Sequence, residues 1–199
     1  MRELDFIKGV DIYLLDQILK GNLNKESVVL DAGFGSGRNL RFCINQGFDV
    51  TAIDQNTEYV RLLREEFPHH TNSIIESSIE DFQDKEGFDF IICNAVLHFA
   101  ENHEHFDQLF HSLNSLLKEK GILFIRMTSD IGIEDKLTKG NNGVFIIPDE
   151  SSRYLITRTK IDQLIAAFNL ELIEPVKTVN VDGMRCMTTL VLRSQNNFD

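Results

Sequence analysis

An acid and three glycines, Asp31, Gly33, Gly35 and Gly37, stand at alternate positions in one short run and could hold a ligand. They follow Val28-Val29-Leu30, an apolar stretch that reads as a buried strand, and precede a helical pattern through Leu40, Cys43 and Ile44. Such glycines let backbone approach a ligand closely, and a helix N-terminus then points at it. A second strand, Phe48–Ile53, ends in Asp54. An acid there, roughly 20 residues beyond the glycines, can grip two ribose hydroxyls. Together these residues predict a site for a nucleoside-bearing cofactor.

What the run lacks narrows the choice. The dinucleotide pattern G-x-G-x-x-G wants glycine where Arg38 stands, and Gly37 comes one residue early. No Gly-Lys-Ser/Thr ends the loop, so it is no phosphate-binding P-loop. Asp31 would repel phosphates but suits an ammonium group, such as the methionine end of S-adenosylmethionine. The segment Val28–Asn39 resembles motif I of the class I S-adenosylmethionine-dependent methyltransferases. With Arg38-Asn39 and Gly47–Asp54 it is similar to the small tellurite-resistance type within them. The resemblance runs from about Val28 to Arg193. It implies S-adenosyl-L-methionine as cofactor, held by Tyr13, Asp31, Ala32, Gly33, Gly35, Gly37, Asp54, Gln55, Ser78, Ile79 and Asn94. Where such enzymes commonly carry an acid for the adenine amino group, this chain has Ser78. The adenine contact is therefore expected from its hydroxyl or from backbone around Ile79. Tyr13 is either a cofactor contact or a packed core residue, and Asp16 is a second candidate on the same helix.

On the acceptor side, Asn94-Ala95-Val96-Leu97-His98-Phe99 leaves the fourth strand. Ligands in open α/β sheets bind beyond the strands' C-terminal ends. His98 is the candidate general base or orienting group, or else a structural histidine, and as a base it predicts a rate that falls as it protonates near neutrality. Arg126 ends the fifth strand and is expected beside the methyl acceptor. Arg153, Tyr154 and Arg185 belong to the same half, where arginines could orient a carboxylate or phosphate. His103-Glu104-His105 reads as a solvated helix start, since two histidines two apart face different ways, and no metal site is expected. Methyl transfer needs an acceptor held close, aligned and dry more than it needs a base. No Asn/Asp-Pro-Pro-Tyr/Phe segment follows the fourth strand, which favours a small-molecule acceptor over DNA.

The elements that must position these residues alternate strand and helix, which predicts a parallel sheet with right-handed crossovers. The fold expected is α/β: a doubly wound, mostly parallel seven-stranded sheet, the Rossmann-like methyltransferase fold, with a terminal antiparallel hairpin around Asp182-Gly183. One domain over residues 1–199 is expected, with a leading helix over 1–21. Strands are read at Ser73–Glu76, Phe88–Asn94 and Ile122–Ile125, the last after a helix that Gly121 ends. Another helix is read over Thr159–Phe168, then strands at Leu170–Thr178 and Cys186–Arg193, then a frayed tail from Gln195. Residues 130–157 show little periodicity and read as an inserted lid-like loop, within which Val144–Ile147 could make a short strand. The net charge is −11, with −10 over residues 1–125 and −1 over 126–199. That balance argues against a nucleic-acid partner and leaves a small anionic substrate open. No run suggests a membrane span or a signal peptide. Three scattered cysteines predict free thiols in a reducing cytoplasm. Two other functions fit the pattern: an S-adenosylmethionine-binding sensor or assembly protein without transfer activity, or an RNA or protein methyltransferase.

Overall fold

Asp11 decides where the first helix begins. Its carboxylate accepts the N–H of Tyr13 at 2.9 Å, capping α1, Ile12–Leu19. Residues 7–10, expected as part of that helix, lie before it. Gly9 takes φ 85°, and residues 7–9 form a turn instead. The computed structural model describes residues 7–195, so the expectations for residues 1–6 and 196–199 lie outside the described residues.

β1 (Val28–Ala32), α2 (Arg38–Asn45), β2 (Asp49–Asp54), α3 (Thr57–Glu66), β3 (Ile74–Glu76) and β4 (Phe88–Asn94) follow the expected alternation. α3 begins where Asn56 caps the N–H groups of Glu58 and Tyr59, and ends before Pro68. α4 is His103–Ser115 and β5 is Leu117–Ser129. Leu116 and Leu117 fit the apolar helical face, yet Leu117 already pairs with Phe88 in the sheet. Gly121 therefore lies inside the strand, not at a helix end. A Cβ there would stand 2.9 Å from the carbonyl oxygens of Phe88 and Lys118, so only glycine lets the irregular register through.

The segment read as a loop is ordered. A 3₁₀ turn at Glu134–Lys136 leads into β6 (Thr138–Asn141), β7 (Val144–Ile146) and β8 (Ser152–Tyr154), an antiparallel sheet in the order β6-β7-β8. β7 answers to the short strand expected at Val144–Ile147, while β6 and β8, three or four residues long, are too short for periodicity to register. Ile133, Ile147, Leu155 and Cys186 form its own small core.

α5 (Arg158–Ala167) is capped by Thr157. The strand expected over Leu170–Thr178 is broken at Pro175, which has no N–H for the ladder. It becomes β9 (Leu170–Leu172) and β10 (Lys177–Val181), both antiparallel to β11 (Arg185–Ser194). The main sheet runs β10-β11-β5-β4-β1-β2-β3, with β9 beside β11. β1 through β5 are parallel, and the closing hairpin is antiparallel, as expected. Counting β9 separately makes eight strands rather than seven.

Both faces of the sheet are buried, which is why β4 is apolar almost throughout. Leu30, Ile91 and Ile125 pack with Phe106, Phe110 and Leu113 of α4 and Ile161 and Leu164 of α5. The alternate residues Val29, Phe90, Ile92 and Phe124 pack with Leu14, Leu40, Val60 and Leu63 of α1 to α3. The chain reverses its direction of travel across the sheet between β1 and β4, and the crevice at that switch point is where such sheets take ligands.

Candidate active site

The turn after β1 is built from backbone hydrogen bonds to β2. Gly33 N–H donates to the Ile53 carbonyl at 2.8 Å, and Gly35 N–H donates to the Asp54 carboxylate at 2.7 Å. Asn56 N–H donates to the other Asp54 oxygen at 2.9 Å. Each oxygen keeps acceptor capacity for a further donor. Two glycines are demanded by geometry. Gly35 takes φ 56° with nothing within 4 Å of where a Cβ would be, on the wall of a cavity. Gly37 takes φ 80° as the residue before α2, where a Cβ would come within 2.3 Å of Leu63.

The cavity has a volume of about 620 Å³. Gly33, Gly35, Asp54, Gln55, Ser78 and Ile79 line it, joined by Tyr59, Ala95, Val96, Phe99, His105 and Leu109 among others. The Ser78 hydroxyl is committed to a local cap, accepting from Asp81 N–H at 3.1 Å and donating to the Asp81 carboxylate at 2.8 Å. Ala32 and Asp31 are buried beneath the turn, and Gly37, Tyr13, Asn94, His98 and Arg126 stand off the cavity wall.

Behind that wall, buried polar atoms converge without partners. Asp31 Oδ2, both amide atoms of Asn94, His98 Nδ1 and Arg126 Nε have no hydrogen bond among the described residues. Asp31 is the next-to-last residue of β1, Asn94 ends β4, and Arg126, expected at the end of the fifth strand, lies three residues inside β5 and is paired in register with Asn94. Unsatisfied buried groups cost stability, so their concentration on three neighbouring strands marks a place built for a polar ligand. Burial, and then the nearby Asp54 charge, push the Asp31 carboxyl up to about 7. A bound ammonium would relieve both effects. The acid, the amide and the arginine thus fit the amino-acid end of S-adenosylmethionine, and the nucleoside end has the cavity.

Two expectations change here. Arg126 was expected with His98 at the acceptor, but its Nη1 pairs with Asp11 at 3.0 Å and its guanidinium lies 5.1 Å over the Tyr13 ring. Asp11 also takes Arg38 at 3.1 Å, and its N–H is held by Asn39. Arg126 therefore belongs with α1, and Tyr13 with it. Asp16 faces away, paired with Lys20 and Lys177. His98, in the 3₁₀ turn Leu97–Phe99, is buried, and burial together with Arg153 and Arg185 pushes its pKa down to about 4. It stays neutral through the range where its titration was expected.

The histidines of α4 point apart. His103 Nδ1 meets the Tyr154 hydroxyl at 2.9 Å and His105 Nε2 meets Glu80 at 3.1 Å. Among the described residues no group of three metal-ligating side chains forms. Sequence reasoning missed Asp11 and the cavity residues Tyr59, His105 and Leu109. Only Tyr59 carried a signal, one turn beyond the acid and its cap. No helix among the described residues is long and apolar enough to cross a membrane.

No curated protein matches the chain in sequence. Solved structures match in fold. A 1,6-didemethyltoxoflavin-N1-methyltransferase from Burkholderia thailandensis has a TM-score of 0.70 at 18% identity, covering 95% of this chain and 80% of that one. An S-adenosylmethionine-dependent methyltransferase from Methanosarcina mazei has 0.71 at 17%, covering 90% and 98%. TehB from Haemophilus influenzae has 0.65 at 17%, covering 94% and 63%. At these identities the likeness is one of fold. Residues 30–125 match the family model for a methyltransferase domain, and they run from β1 into β5, spanning the glycine turn, Asp54 and the His98 turn. The chain thus carries a methyltransferase-domain match over residues 30–125 on a fold that it shares with solved S-adenosylmethionine-dependent methyltransferases.

Proposed function

We propose that the protein transfers the methyl group of S-adenosylmethionine to a small molecule bound between the His98 turn and the inserted β6–β8 sheet. One observation carries this reading: unpartnered buried polar atoms gather near the ends of β1 and β4 and at the position of β5 beside Asn94, next to a cavity of nucleoside size. The cofactor supplies an electrophilic methyl on a sulfonium, and the remaining work is positioning. Asp54 takes the ribose hydroxyls, with Gln55 beside it. Ile79 and the backbone next to it take the adenine, because the Ser78 hydroxyl is already engaged. Asp31 and Asn94 take the ammonium. Arg126 and Tyr13 close the amino-acid end from the α1 side. Backbone of Ala32, Gly33, Gly35 and Gly37 leaves the ligand room. His98, uncharged, accepts a hydrogen bond or a proton from the acceptor.

Residues 130–157 serve as a lid, in a single working unit with the rest of the chain. The net charge of −11 supports a small molecule over nucleic acid. The Burkholderia thailandensis structure, of the same fold and with bound 1,6-didemethyltoxoflavin, supports a small-molecule acceptor. Three buried free cysteines suit a reducing cytoplasm.

The test is calorimetry of S-adenosylmethionine binding followed by incubation of labelled cofactor with metabolite extract. Cofactor binding with label passing to a small product is expected. Asp54→Ala should weaken binding roughly 10- to 150-fold, the cost of a lost charged hydrogen bond. Cofactor held without formation of S-adenosylhomocysteine would replace this reading with a sensor.

A further inference from the structure

We propose that the methyl acceptor carries an oxyanion, a carboxylate or a phosphate, held by Arg153 with support from Arg185, and an apolar body laid against Phe99. This rests on the methyl-transfer reading and names the substrate class of that same site.

Arg153 comes from β8 of the inserted sheet. Its guanidinium lies 4.9 Å over the Phe99 ring and donates to the Ser152 carbonyl at 2.7 Å. Among the described residues no carboxylate pairs with it, in a chain with 31 acids against 20 Lys and Arg. Arg185 opens β11 and reaches Asp149 only at 3.4 Å. The Phe99 ring under Arg153 stands 4.5 Å from the ring of the buried His98, which places that guanidinium at the turn after β4. Phe99 is 61% exposed even with Arg153 on it, and it also lines the cofactor cavity. It is thus shared wall between the two ligands.

In the closed arrangement the strand that carries Arg153 is tied to its neighbours. Thr128 Oγ1 donates to the Tyr154 carbonyl at 3.0 Å and Ile156 N–H donates to the Thr128 carbonyl at 3.1 Å, which tie β8 to the end of β5. The next residue, Tyr154, is buried, stacked 4.5 Å from Phe106 and bonded to His103. A guanidinium held this way offers a carboxylate or phosphate paired donors. With Phe99 beneath the body of the acceptor and the oxyanion on Arg153, the accepting atom is directed between His98 and the cofactor's methyl. A neutral His98 does not compete for the oxyanion.

Benzoate, benzyl phosphate and benzamide, titrated by calorimetry into protein saturated with S-adenosylhomocysteine, test this. At least one of the two anions should bind roughly tenfold or more tightly than the neutral amide. Which anion wins separates carboxylate from phosphate. Arg153→Gln should erase the preference, Arg153→Lys should keep part of it, and neither should change S-adenosylhomocysteine affinity. Arg185→Gln should have a smaller effect. Absence of anion binding, or equal preference in wild type and Arg153→Gln, would overturn the proposal. Failure of the wild-type protein to bind S-adenosylhomocysteine would instead overturn the methyl-transfer reading on which it rests. If Arg153→Gln does not fold, unchanged preference in Arg153→Lys together with Arg185→Gln would still count against it.

Discussion

Asp31 is the residue whose chemistry the cofactor should change most. In the free protein its carboxyl is buried, faces the charge of Asp54, and is pushed up to about 7 from an ordinary 3.8. The ionised form is therefore disfavoured in the folded state, and the free protein should lose stability as pH rises from about 4 toward 7. An ammonium at Asp31 favours the ionised form again. Binding near neutral pH should release a proton, and affinity should rise with pH through that range. Calorimetry in two buffers of different ionisation enthalpy reads this directly, and identical heats would refute it. His98 moves the other way. Its folded pKa of about 4 lies below the ordinary 6.5, so protonation costs stability as pH falls below 6.5. The rate should accordingly run flat through pH 6–7, and a histidine limb there would show that the acceptor or cofactor raises it. Arg126→Ala should weaken cofactor binding through α1 rather than slow transfer at saturation, while His98→Ala should slow transfer roughly 10²- to 10⁴-fold if it takes the proton. The types of these residues were readable from the sequence. The neighbours that set their behaviour were not, because Arg126 meets Asp11, 115 positions away in the chain, and the charges that lower the pKa of His98 come from Arg153 and Arg185.

Long elements with strong patterns were readable for a physical reason: a strand buried on both faces, such as β4, or a capped amphipathic helix, such as α3, writes its environment into several consecutive residues. Where one residue overrides the pattern, the reading shifts. Pro175 splits a strand, Asp11 delays a helix, and the bulge at Gly121 lets β5 start at Leu117. Of the inserted sheet only β7 was readable, at Val144–Ile147, because β6, β7 and β8 have three or four residues each and their small core borrows Cys186 from β11. That construction makes it the element most easily opened. It is latched to α4 through Tyr154, His103 and Phe106. Tyr154→Phe keeps the ring packing and removes the hydrogen bond, a loss of about 1 kcal/mol. Amide exchange across 130–157 should speed up several-fold in this variant while the β1–β4 core is unchanged. In the native protein the same amides should slow when cofactor and acceptor are both bound. Uniform acceleration over the whole chain would show that Tyr154 supports the global fold rather than a lid.

At the scale of the molecule the charge is lopsided, and the asymmetry has a direction. Residues 1–125 carry −10, and residues 126–199, which supply the inserted sheet and its arginines, carry −1. This much was present in the sequence, but which end faced which ligand required the sheet order that sets the glycine turn and Asp54 beside β4 and the arginines across the His98 turn. The negative part surrounds the site proposed for the cofactor. S-adenosylmethionine is a cation overall near neutral pH, having a sulfonium and an ammonium against one carboxylate. Loss of the methyl leaves S-adenosylhomocysteine with no sulfonium charge. A negative field draws the first more than the second, so the charge distribution should favour substrate entry over rebinding of product. Salt screens such fields over about 10 Å at 0.1 M ionic strength. Raising salt should therefore slow S-adenosylmethionine association by up to roughly tenfold and leave S-adenosylhomocysteine association nearly constant. Stopped-flow binding of both ligands across a salt series measures the difference. Parallel slopes would mean that the acidic surface is only solubilising, and that discrimination between the two rests on contacts at the sulfur alone.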